Sequence, residues 1–140
     1  MTNKRQRVYA GLLILLTVIV CVVETSTKGW MMLSLVPTSL VVLPIYAIVT
    51  YRALRQDSGP YVKVLKLTSY ALTLFILVAY ICTVGIIDAQ ENILFGFLST
   101  TNNDLVTYSA LASQWAAYFL APITFILLIG LLIARRTRKA

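Results

Sequence analysis

Apolar residues in this chain gather into four long runs, at residues 8–23, 29–51, 67–87 and 108–134, and polar residues fill the stretches between them. Within each run the apolar positions are nearly continuous. They lack the period-two alternation that strands of a membrane barrel require. A bilayer core about 30 Å thick is crossed by ~20 mostly apolar residues in a helix, which satisfies its own backbone there. The pattern therefore predicts an all-α, four-transmembrane-helix bundle with spans near 8–26, 29–51, 64–87 and 108–134, and an outer link at 88–107. With 140 residues in total, no room is left for a water-soluble domain, so residues 1–140 read as a single integral membrane domain.

The first span is the shortest. Its apolar part reaches only about 24 Å at ~1.5 Å per residue, so Thr25 and Ser26 are expected to extend it, with Glu24 near the outer interface. A basic start and an apolar core also resemble a signal peptide, but no small-x-small cleavage site follows. A retained span is the expectation. The link at residues 24–29 is so short that spans one and two must form an antiparallel hairpin. Ser58-Gly59-Pro60 marks a turn between spans two and three. The outer link holds a short apolar segment at residues 93–98. It is too short to span, and is expected to lie in the interface or against the bundle, either as a loop dipping into headgroups or as a lid or partner-binding element.

Charge sets the expected orientation. Lys4, Arg5 and Arg7 precede span one, Arg52, Arg55, Lys63 and Lys66 flank the second link, and Arg135, Arg136, Arg138 and Lys139 follow span four. Of all Lys and Arg residues only Lys28 falls on the other side. The positive-inside rule then places both termini in the cytoplasm, as expected of a multi-pass protein of the cell membrane. The net charge of +7 serves topology and anionic headgroups in this reading, not nucleic acid, because no aromatic residues interleave with the basic ones. A hydrophobic content of 59% and a mean hydropathy of +0.85 are likewise far from a soluble globular domain.

Offset comparison adds an internal pattern. A shift of 61 aligns Tyr9 with Tyr70, Cys21 with Cys82 and Val23 with Val84, and a shift of 85 aligns Trp30 with Trp115 and Pro37 with Pro122. These matches raise a duplication into two parallel hairpin repeats, against chance agreement between apolar segments.

Candidate chemistry is sparse. The chain has no His, and Cys21 and Cys82 lie far apart inside spans, so the usual zinc and thiol-redox spacings are absent and both thiols read as packing residues. No charge lies deep in a span, which argues against proton relays, ion coupling and an activated nucleophile. Glu24, Asp88 and Glu91 sit near outer span ends and read as solvated. No catalytic, cofactor or metal site is expected, and no enzyme activity.

Three structural patterns remain. Ser109, Ser113, Ala117 and Ala121 recur every four residues in span four, with Ala112 and Ala116 beside them, as a candidate close-packing face toward another helix of the chain or another subunit. Tyr9, Trp30, Tyr51, Tyr70, Tyr108 and Trp115 sit near span ends as candidate interface anchors. Pro37, Pro44 and Pro122 lie within spans, where they remove a backbone bond and fix bundle shape. The functional expectation is a non-catalytic accessory or structural subunit whose partners are the bilayer and other membrane subunits or copies of itself. The alternative is a small oligomeric transporter, channel or pore former.

Overall fold

The structure is a computed structural model, and it describes residues 3–57, 59, 61–87, 90–93, 98–99 and 103–139, with the side chains of Asn3, of residues 85–103 and of Arg138 outside that description. Four helices carry the chain: α1 (Asn3–Ser26), α2 (Met32–Leu54), α3 (Val62–Ile81) and α4 (Asn103–Lys139). All four are long and apolar enough to cross a membrane. At ~1.5 Å per residue, the 37 residues of α4 reach about 55 Å, beyond a core of about 30 Å.

Between α3 and α4 the backbone forms a small antiparallel sheet, β1 (Gly85–Ile87), β2 (Gln90–Ile93) and β3 (Leu98–Ser99), in the order β1-β2-β3. Ile86 pairs with Glu91, and Ile93 with Leu98. The all-α expectation thus describes the four spanning elements but not this link. The limit set for span three at residue 87 is corrected. Helix α3 stops at Ile81, with Cys82 as its cap. Beyond the cap, Thr83, Val84, Ile86 and Ile87 are β-branched and Gly85 is a poor helix former, so extended pairing competes well. Most of the segment at residues 93–98, expected in the interface, lies outside the described residues.

Side-chain contacts fix the helix directions. Ser39 meets Tyr80 while Tyr46 meets Thr73, so α2 and α3 are antiparallel. Ser109 meets Cys82 while Gly130 faces Leu65, so α3 and α4 are antiparallel. Tyr9 meets Tyr70 and Lys28 meets Ile81, so α1 runs with α3. The bundle is up-down-up-down, with α3 packed against α1, α2 and α4.

The reason α3 is central lies in its periodicity. Leu65, Ser69, Leu72, Thr73, Ile76, Ala79 and Tyr80 are buried at helical spacing. They meet Leu43, Tyr46, Val49 and Ala53 of α2, Cys21 of α1 and Leu127 of α4 in one core. In α1 the buried line runs through Ala10, Thr17, Cys21, Glu24 and, just past the helix end, Lys28. The α1–α2 turn closes on Gly29, whose φ of 57° is the left-handed conformation that suits glycine.

Candidate functional site: the helix contacts within the bundle

Near the end of α3, its seam with α4 is polar. The Ser109 hydroxyl donates to the Cys82 carbonyl at 2.7 Å, and the Ser113 hydroxyl to the Ala79 carbonyl at 2.8 Å. Thr83 converges on the same Ala79 carbonyl, with its hydroxyl 3.0 Å from that of Ser113. These bonds fall where α3 ends and its last carbonyls lack intrahelical donors. Two serines on α4 therefore cap α3 from the side.

Of the candidate packing residues, Ser109 and Ser113 sit on this seam, whereas Ala117 and Ala121 are exposed. For those two, the first of the two alternatives, contact with a helix of the same chain, is not what the structure shows. The cause is geometric. A helix advances about 100° per residue, so each step of four turns the stripe about 40° further around the axis. After two such steps the stripe has left the seam. The buried line instead alternates steps of four and three, through Ser109, Ser113, Ala116, Leu120, Ile123, Leu127, Leu131 and Ala134. Ala116 is 2% exposed, and it takes the place on that line expected for Ala117.

Hydroxyls also link α2 to α3. Ser39 and Tyr80 are 2.5 Å apart, and Tyr46 and Thr73 are 2.9 Å apart. Each such bond between membrane helices contributes about 0.6 kcal/mol on average. Their worth is in fixing register as much as in stability.

The least expected feature lies at the α1–α2 turn. The Lys28 ammonium is 3.0 Å from the Glu24 carboxylate, and both side chains are fully buried. The same ammonium donates to the Ile81 carbonyl at the end of α3, at 3.4 Å. The expectation of a solvated Glu24 at the outer interface is corrected. Glu24 is enclosed because it continues the buried line of α1 one turn beyond Cys21. The signal is present in the chain, since Glu24 and Lys28 are four residues apart and Glu24 is in phase with Cys21 and Thr17. Cys21 and Cys82 are both free thiols. Among the described residues no three side chains of the metal-ligating kinds converge.

The candidate anchors divide by exposure. Trp30, Tyr108 and Trp115 are the most open. Tyr9 and Tyr70 are exposed and 3.4 Å apart, with the Tyr70 hydroxyl donating. Tyr51 is half-buried, and the Arg55 guanidinium lies 5.3 Å from its ring centre. Trp115 stacks against Phe119 at 6.3 Å and meets Tyr118 edge-on at 6.4 Å, which forms an aromatic cluster on α4.

Comparison with protein-family models, with curated proteins and with solved structures finds no match to this chain. The arrangement defines a small protein with four apolar, membrane-length helices.

Proposed function

We propose that this chain is a non-catalytic accessory or structural subunit that works by contact between membrane helices of different chains. The observation that carries the proposal is the open face of α4. Only 11% of its most apolar window is buried within the chain, against 39% for α3. On that open side Ala117 and Ala121 lie one turn apart, beside exposed Tyr118 and Phe125. Two small residues at that spacing let a second helix approach closely, and aromatic rings supply contact area around them. The hydroxyls described above are already engaged within the chain, which leaves packing as the means of recognition on this face.

The orientation proposed from charge, with both termini in the cytoplasm, gains support from the ion pair. Lys28 is the one basic residue at the end opposite the others, and Glu24 neutralises it. With that lysine neutralised by its i,i+4 partner, the uncompensated basic charge all lies at the other end. The aromatic residues at the helix ends fit interface anchoring in the same reading.

The test separates folding from association. Ala117→Phe and Ala121→Phe are expected to leave the thermal unfolding of the single chain unchanged and to abolish assembly, read by native mass measurement after mild detergent extraction. A wild-type chain that extracts from its own membrane as a monomer overturns the reading. Selective flux through liposomes holding this chain alone favours the transporter alternative, and substrate turnover by the isolated chain overturns the non-catalytic reading.

A further inference from the structure

At the opposite end of the molecule from the ion pair, the C-terminal ends of α2 and α4 leave a groove of about 510 Å³ between them. Its rim is cationic. Arg52 and Arg55 come from α2 and Arg135 from α4, and all three are exposed. Its floor and walls are apolar. Val49 is buried and Leu131 is half-buried, while Ile48, Leu128 and Leu132 line the groove and remain open to the surroundings. Gln56 adds a carboxamide whose Oε1 is buried and has no hydrogen-bond partner among the described residues.

We propose that this groove is a binding site for an anionic phospholipid, with the phosphate held by Arg52, Arg55 and Arg135 and an acyl chain laid along Ile48, Leu128 and Leu132. Three observations converge on that chemistry. First, guanidinium forks match phosphate oxygens with paired hydrogen bonds, and two helices deliver them to one opening. Among the described residues no ion pair engages these arginines, and the nearby acid Asp57 is exposed and is not part of the groove lining. Second, Arg55 lies 5.3 Å from the ring centre of Tyr51, which holds its planar group in place at lower entropic cost. Third, the cationic rim passes directly into an apolar wall. A free anion has no use for that wall, whereas an amphiphile needs both surfaces at once. Basic pockets between membrane helices are a general solution for anionic headgroups. The site does not depend on the association reading above, because it is built within one chain.

General attraction of a basic surface to anionic lipid is the competing explanation, and charge-matched variants separate the two. The full chain is placed in nanodiscs of phosphatidylcholine with a minor fraction of phosphatidylglycerol, and lipid retained after detergent extraction is read by native mass measurement. Wild type is expected to retain phosphatidylglycerol in preference. The triple variant Arg52→Gln, Arg55→Gln, Arg135→Gln is expected to lose that preference by about tenfold or more. The control Arg5→Gln, Arg7→Gln, Lys63→Gln removes the same charge outside the groove and is expected to keep it within about twofold. Leu132→Ser is expected to weaken lipid retention with the rim intact. Equal loss in both triple variants overturns the site in favour of surface charge. Displacement of the lipid by inorganic phosphate at comparable concentration overturns the lipid assignment in favour of a simple anion site. Unfolding followed by circular dichroism confirms that the exposed arginine changes leave the bundle intact.

Discussion

Glu24 and Lys28 place two charges where the chain is otherwise apolar, and each neutralises the other at 3.0 Å with no exposed surface. Removing both from water is costly, and their attraction offsets that cost only while both are present. Lys28→Met, which leaves a buried carboxylate without its main partner, is expected to destabilise the bundle by about 3–5 kcal/mol. The double change Glu24→Gln with Lys28→Met should cost clearly less. Thermal unfolding of the three proteins in one detergent checks this, and equal losses for single and double variants would show that the pair is not coupled. Lys28 also reaches the Ile81 carbonyl, so the single change is expected to loosen the α1–α3 contact as well. The place of Glu24 and Lys28 beside a polar turn reads as solvated, although the spacing of four and the phase with Cys21 and Thr17 are already in the sequence. Their burial comes with the packing of this end of α1 against the end of α3, which is a tertiary fact.

At the scale of elements, the number of spanning helices and their approximate places are legible in the sequence, while the faces they bury and the ends of α3 and α4 are not. A helix that is apolar all round presents no polar side, so its pattern does not say which side is buried within the protein. In α4 the small residues are the remaining guide to the buried line, and a strict step of four drifts where the packing follows alternating threes and fours. The correct line makes a sharp contrast. Ala116→Phe inserts a ring into a closed contact and is expected to cost about 1–3 kcal/mol, whereas Ala117→Phe should leave unfolding of the isolated chain unchanged. A second check lies at Gly130, where an added Cβ would stand 2.6 Å from a Leu65 methyl. Leu65 is itself buried, so it has little room to give way. Gly130→Leu is expected to destabilise by about 1–3 kcal/mol, and full stability there would mean that α3 and α4 lie further apart than this contact requires. The end of α3 is overestimated from sequence for a related reason. Hydropathy does not distinguish a helical valine or isoleucine from an extended one, and β1 takes over that apolar stretch.

Taken whole, the molecule has two unlike ends. One carries the paired Glu24 and Lys28, the end of α3 and the small sheet. The other gathers the start of α1, the link from α2 to α3 and the end of α4, with all remaining Lys and Arg residues. The up-down-up-down course of the helices makes this segregation a property of the fold, since every second connection returns to the same end. A membrane that retains positive charge on its cytoplasmic side would therefore set all four helices by one rule. Reporter domains fused after residue 140 and inserted between β2 and β3 are expected to register opposite compartments, with the C-terminal one in the cytoplasm. A cytoplasmic signal from both positions would mean that α4 does not cross, despite its length. The reverse pattern would mean that something other than basic charge orients the chain. Glu24→Gln unmasks one lysine at the end opposite the other basic residues, and this change alone should not invert the orientation. The cationic groups at the other end still outweigh one lysine, so the same reporters should give the wild-type pattern with reduced protein yield.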